Sequence, residues 1–301
     1  MTDVHVLAAA DMRARRRIGV VLFVFACEAI FGLLVALPLH GWAAQSWGAH
    51  PEGDGVLFRA GGYELLTWLT EPGATLPVML RTTMTLLVVG TVLLQLPLGA
   101  LLHSLQTSRI RDGMTRSPSI AQAMSGAPPS FLPLMGIFVG STLITGLVLG
   151  TGALAAGAVG DAFTDNLGDA RAFTVKVVVM ALFGLIAIAT GVVADFARTA
   201  VVRDQLLSEE RRSALSFLFR GFVFGVRTAR KGLFKAMVAW GGRAAAGLLL
   251  LWFGAVASSA LGGRALLVLV VIHQAIALAR VALRASWLAW ACRAVASTQT
   301  P

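Results

Sequence analysis

The stretch Val24 to Gly32, VFACEAIFG, sets one carboxylate, Glu28, in an apolar run with no other charge between Arg17 and Glu52. A charge at the centre of a bilayer costs about 2.5–3.5 kcal/mol on insertion scales, so an acid there is held by a partner or performs a task. Gln95, Arg243, His273 and Gln274 also interrupt apolar runs and are the polar groups that could meet it. Such a set suits a buried ion pair that clasps helices together, or a site for protons, ions or an anionic headgroup. With one acid, one histidine and no series of aspartates, the residue types favour the clasp. A second pair, Asp195 and Arg198, has the i,i+3 spacing of an ion pair on one helix face, which predicts a structural role.

Other chemistries find no support. The sequence has no HExxH, CxxC, GxSxG or Walker loop. His5, His40, His50, His103 and His273 are scattered, without the close spacing of a metal site on a single helix. No cofactor, metal or catalytic activity is expected. Cys27 and Cys292 fall at different depths of the membrane and are not expected to pair.

The elements that must carry these residues are helices in lipid. Hydrophobic residues make up 57% of the chain, charged residues 13%, and mean hydropathy is +0.78; a soluble domain has about 25% charged residues. Six runs approach or exceed the roughly 20 apolar residues needed to cross a bilayer core: Ile18–His40, Thr82–His103, Phe131–Val159, Phe173–Ala194, Leu233–Ser258 and Ala265–Trp287. Barrel strands would instead show about ten residues of alternating polarity. The expected fold is all-α: a polytopic helical protein with six spans, a basic arm over residues 1–17, a membrane domain over 18–292 and a tail over 293–301. The first span exceeds the apolar core of a signal peptide and is expected to be retained.

Depth selects which polar residues meet. At about 1.5 Å per residue, Glu28 lies about 15 Å in from Arg17, near the middle of a core about 30 Å thick. Similar counts from Arg264, Lys235 and Arg81 bring His273, Arg243 and Gln95 towards the same central slab. Glu28 is therefore expected to face the bundle interior, paired with Arg243 or His273.

Charge sets the orientation. Most of the 25 basic residues fall in the N-terminal arm, the second and fourth loops and the tail, whereas Glu52, Asp54, Glu64, Glu71, Asp161, Asp165 and Asp169 lie in the opposite loops. The positive-inside rule then places both termini in the cytoplasm, in the inner membrane of a bacterium, and Trp42, Trp47, Trp287 and Trp290 suit interfacial anchors. The net charge of +10 reads as topology and contact with anionic lipid; no base-reading or stacking group points to nucleic acid.

The connections carry further signals. Ser117-Pro118 would start a short helix and Pro128-Pro129 would stop it; residues 63–69 would form another, ended by Glu71-Pro72-Gly73. In the fourth loop Leu215, Leu218, Phe219, Phe222 and Val226 share one helical face, with Ser213, Ser216, Arg220 and Arg227 on another; Arg211 and Arg212 precede them. That segment is expected to be an interfacial helix on the inner leaflet or an extension of a neighbouring span packed on the bundle. Gly136-x-x-x-Gly140 and Gly146-x-x-x-Gly150 predict close helix contacts. IRDG after the second span and VRDQ after the fourth suggest two equivalent hairpins.

The stretch VVADFARTAVVRDQLLSEERRSALSFLFRGFVFG, with Asp195 and Arg198 followed by an Arg-rich amphipathic segment, and the Pro97-x-Gly99 end of the second span together resemble a group of bacterial six-helix membrane proteins. That group is related to the membrane domain attached to some glycerophosphodiester phosphodiesterases. The resemblance implies a bacterial membrane protein. It carries over no catalytic residue, because phosphodiesterase activity in such proteins belongs to a separate soluble barrel that this sequence does not contain. Two functions follow: a non-catalytic scaffold or accessory subunit meeting lipid, a membrane-protein partner or a second copy of itself, and a small transporter or permease using the central polar residues.

The orientation is directly testable. A reporter active only in the cytoplasm should work at both ends of the chain, and a periplasmic reporter should work after Gly55 and after Asp165. Periplasmic activity at the C-terminus would overturn the arrangement.

Overall fold

The computed structural model describes residues 4–7, 11–47, 75–111, 114–208, 213–261 and 265–299. The chain is an all-α, multi-pass membrane protein: six of its helices are long and apolar enough to cross a membrane. In chain order the helices are α1 (Ile18–Trp47), α2 (Thr75–Leu93), α3 (Gln95–Gln106), α4 (Ile120–Ser125), α5 (Pro128–Leu167), α6 (Asp169–Leu207), α7 (Ala214–Arg230), α8 (Leu233–Leu261) and α9 (Leu266–Gln299). The expected helix at residues 63–69 lies outside the described residues. By its contacts the chain divides into Phe25–Gln95 and a larger unit made of Met1–Val24 with Leu96–Pro301.

Several helices overrun the spans read from hydropathy, because hydropathy registers the apolar portion and backbone hydrogen bonding continues past it. α5, at 40 residues, measures about 60 Å. The expected tail at 293–301 is, as far as Gln299, the end of α9. α5 turns into α6 at Gly168, with φ 75° and ψ 161°, a backbone region essentially restricted to glycine.

The second span is two helices. Pro97 has no N–H and its ring crowds the carbonyl four residues earlier, Leu93, so the helix ends there and restarts at Gln95. The Gln95 side chain donates through Nε2 to Thr91 O at 3.1 Å, capping a carbonyl at the break. In the same unit Gly90 admits the Phe31 ring, which would lie 1.5 Å from a Cβ at that position.

The connection after α3 differs from expectation. Residues 107–111 form a strand, β2 (Thr107–Arg111), between β1 (Val4–Val6) and β3 (Met114–Arg116), all antiparallel. The corresponding VRDQ stretch remains helical inside α6, so the two hairpins are not equivalent. Ser119, not Ser117, caps α4: its Oγ accepts from Gln122 N while the Gln122 side chain accepts from Ser119 N, a reciprocal capping box. α4 ends at Gly126, and Pro128-Pro129 open α5 rather than close α4. Proline suits a first helical turn, whose N–H groups have no helical partner in any case.

Close helix packing uses one of the four expected glycines, Gly136, and several others. A Cβ on Gly136 would lie 2.0 Å from Leu218, but Gly140, Gly146 and Gly150 have no neighbour within 4 Å. The decisive pair is Gly221 and Gly225 on α7, which lie against Ala197 and Val201 of α6; a Cβ at Gly225 would come within 2.8 Å of Ala197 N, a backbone atom that cannot step aside. Gly225→Ala should therefore destabilise the protein by about 1–3 kcal/mol through overpacking, while Gly146→Ala should be neutral or slightly stabilising, since alanine is the better helix former. Thermal unfolding of both variants in detergent checks the contrast; equal losses would sink it.

Candidate functional site

Tight burial concentrates at the end of the larger unit that bears both termini. Val192, Phe196, Ala197, Thr199, Ala200, Val201 and Val202 of α6 are each at most 1% exposed, whereas Leu143, Leu147 and Leu154 in the outlying part of α5 are 68–78% exposed, as expected of side chains that meet lipid.

Polar bonds fasten α3, α5, α7 and α9 to this part of α6. Asp195 accepts from Arg198 Nη1 through Oδ1 at 2.6 Å and from Trp287 Nε1 of α9 through Oδ2 at 2.8 Å. The acid and the arginine are 15% and 12% exposed. The i,i+3 ion pair expected from the sequence is therefore formed, and it also holds a second helix. Trp287 is 3% exposed, stacks on Trp290 with centroids 5.2 Å apart, and packs beside Phe196. Its expected role as an interfacial anchor is thereby replaced by one in the interior, because its N–H is satisfied by a carboxylate.

The other ties are of the same kind. Gln106 of α3 donates to Thr199 O at 3.0 Å, and Gln205 donates to Pro129 O at the start of α5 at 2.9 Å. Arg220 of α7 meets Asp204 at 3.3 Å, so this arginine, expected to face headgroups, helps seat α7 on α6.

α7 has both of the characters weighed for it. Phe217, Gly221, Gly225, Thr228 and Ala229 face the bundle. Leu218 packs towards Gly136, as the packed alternative requires, although its spacing groups it on one face with Leu215, Phe219 and Phe222. Leu215, Phe219, Phe222 and Val223 remain exposed. Arg227 lies 5.7 Å over the Phe224 ring, a cation–π distance, and Arg211 and Arg212 lie outside the described residues.

The N-terminal segment belongs to this layer instead of forming a loose arm. Arg17 is 4% exposed; it donates through Nη1 to Ser117 Oγ and through Nη2 to Thr107 O, both at 2.8 Å. Arg293 of α9 donates to Met12 O at 2.9 Å. Sequence reasoning counted Arg17 only as a topology charge, since nothing local distinguishes it from Arg15 or Arg16.

The intramembrane polar residues are distributed differently. Glu28 is half-buried on α1 and Gln95 is buried at the helix break; both belong to the smaller unit, while Arg243, His273 and Gln274 belong to the larger. Arg243 donates through Nε to Ser286 Oγ at 2.9 Å and through Nη1 to Ala239 O at 2.7 Å. His273 lies 3.2 Å from Ser258 Oγ through Nε2, and its Nδ1 donates to Leu269 O at 2.8 Å. In the antiparallel pair α8 and α9, Arg243 thus stands opposite Ser286 and His273 opposite Ser258, about 20 Å apart along the axis. They do not form one cluster, contrary to the single slab expected from depth counting, which could not know the register of the pair. His273 and Gln274 are exposed. Near Arg243, an apolar recess of about 600 Å³ opens between α8 and α9, lined by Ala246, Leu249, Leu250, Leu283 and Ser286.

Among the described residues no group of three or more His, Cys, Asp or Glu side chains could hold a metal ion, and Cys27 and Cys292 are free thiols. Compared with models of protein families, with curated proteins and with solved structures, the chain matches none.

The Asp195 junction is the part of this layer whose energetics can be isolated. Asp195→Asn removes the countercharge of Arg198 and weakens the bond from Trp287, a loss of about 2–3 kcal/mol, whereas Trp287→Phe removes one hydrogen bond worth about 1 kcal/mol, along with some packing. Because both act on one carboxylate, the double variant should lose less than the sum. Chemical unfolding in detergent measures the cycle; strict additivity would show that the two contacts are independent.

Proposed function

We propose that the protein is a non-catalytic integral membrane protein of the bacterial inner membrane, a scaffold or accessory subunit with both termini in the cytoplasm. The observation that carries this reading is the contrast between the two ends of the larger unit: a tightly bonded layer at the terminus-bearing end, and outlying helix surfaces covered with exposed Leu and Val. A folded layer on a lipid-embedded base suits a platform for anionic lipid and for a membrane-protein partner or a second copy of the chain. The exposed apolar side of α7, with Leu215, Phe219, Phe222 and Val223 beside Arg227, supports the same view, since a helix lying in an interface needs apolar and basic groups together. The resemblance of the Val192–Gly225 stretch to six-helix bacterial membrane proteins agrees with it.

A second reading, a small permease, draws on Arg243 beside the recess between α8 and α9 and on Glu28 within α1. Charged groups inside spans are functional candidates by default.

The two readings separate in one preparation. The full chain, purified in native-lipid discs, is expected to bring a membrane protein at fixed stoichiometry or to form a defined homo-oligomer, and Leu215→Ser with Phe219→Ser should abolish that association while leaving the thermal unfolding midpoint unchanged. A solute flux in proteoliposomes that disappears in Glu28→Ala, with no stoichiometric association, would replace the scaffold with the permease.

A further inference from the structure

A recess of about 650 Å³ opens at the terminus-bearing end, where the N-terminal segment meets the sheet; Arg16, Arg17, Arg116, Asp11, Thr115 and Ser117 supply most of its polar lining. Three non-adjacent stretches build it, and their positions are fixed. Arg17 spans from Ser117 to the backbone of β2, Ser117 Oγ donates to Arg16 O, and Arg293 holds Met12 O. The walls are therefore set before any ligand arrives, which lowers the ordering cost of binding.

Among the described residues the charge lining the recess is unbalanced. Three guanidinium groups face one carboxylate among the described lining residues. That carboxylate, Asp11, meets Arg16 at 3.2 Å with both side chains about half exposed, 44% and 52%, the kind of pair that contributes little and exchanges readily. Arg116 is exposed and has no ion-pair or hydrogen-bond partner among the described residues. The strand register adds an independent sign: Arg109 of β2 stands directly opposite Arg116 of β3. Like charges directly opposed across strands destabilise a sheet, and an anion beside them would relieve the repulsion. The Nε atoms of Arg17 and Arg109 are both buried without a hydrogen-bond partner among the described residues.

We propose that this recess binds a phosphate ester. Arg16, Arg116 and Thr115 all line the recess, and two guanidinium forks with a hydroxyl suit a tetrahedral group with three acceptor oxygens better than a single planar carboxylate. The volume exceeds what a bare ion fills, and Leu7 and Met114 line the same space, so an organic substituent has an apolar wall to rest on. The ester could be carried by a soluble metabolite or by a lipid headgroup; the recognition chemistry is the same. This site stands independently of the scaffold reading.

The test uses the full chain. In detergent at constant ionic strength, titration calorimetry with inorganic phosphate and with phenyl phosphate should give saturable binding, tighter for the ester, and Arg116→Gln should weaken it by about tenfold or more, the equivalent of one lost charge-assisted bond. Thr115→Val should weaken it less; both positions are exposed, so neither variant should lower the unfolding temperature of the unliganded protein, and Arg116→Gln should raise it slightly by removing the repulsion with Arg109. In parallel, the protein is placed in nanodiscs of phosphatidylcholine with and without phosphatidic acid. Stabilisation by phosphatidic acid that Arg116→Gln removes, without binding of either soluble ligand, assigns the site to a lipid headgroup; binding of phenyl phosphate assigns it to a soluble ester. The proposal is overturned if neither phosphate, phenyl phosphate nor phosphatidic acid has an effect, or if Arg116→Gln and Thr115→Val leave all the effects intact.

Discussion

The approach of α7 to α6 at Ala197 is the contact on which the terminus-bearing end depends. Gly221 and Gly225 bring one helix backbone to within side-chain-free distance of the other, and no residue larger than glycine fits there without displacing backbone. Once α7 lies so close, Phe217 is carried into the interior and Arg220 reaches Asp204. The same turns of α6 present Asp195 to Trp287 and Thr199 O to Gln106. One helical stretch thus receives α3, α7 and α9, and its small residues are what make room for them. In lipid this matters more than in water, because association of helices there rests on close packing and hydrogen bonds, with little hydrophobic drive.

Polar groups are used differently in the two settings of the molecule. At the terminus-bearing end they join elements distant in sequence: Arg17 to the strand hairpin, Arg293 to the N-terminal segment, Asp195 to α9. Within the spans the described bonds are mostly local or between neighbouring helices. Thr, Ser and His side chains return to carbonyls three or four residues earlier, and Arg243 reaches only the adjacent helix. Such local bonds satisfy polar atoms where water is absent without dictating a tertiary arrangement. The bonds that join distant elements accordingly fall in the terminus-bearing layer, although the chain's most conspicuous single residue, Glu28, lies inside a span.

The sheet contributes what helices alone would not. Its strands are short, and its pairing of the N-terminal segment with the hairpin after α3 closes a recess bounded by arginines from two distant parts of the chain, Arg16 and Arg17 from one and Arg116 from the other. Arginines distant in sequence are thereby gathered in one place.

The sequence by itself determined the class of the molecule, the number of spans and the pair Asp195–Arg198, because each depends on composition or on spacing within one helix. Apolar runs of sufficient length must be helical in lipid, and i,i+3 neighbours must share a face. It also raised both alternatives for α7, though it grouped Leu218, which packs towards Gly136, on one face with Leu215, Phe219 and Phe222, which are exposed. Only the tertiary structure decided which glycines make contacts, that Trp287 is interior, that Arg17 is buried and that Arg243 and His273 stand far apart. Each of these depends on the register between elements, and register is set by the meeting of two surfaces. The basic N-terminal arm forms a strand and a clasp for the same reason: Thr107 and Ser117 lie 90 and 100 residues from Arg17, Arg293 lies 281 residues from Met12, and no pattern within the arm announces them.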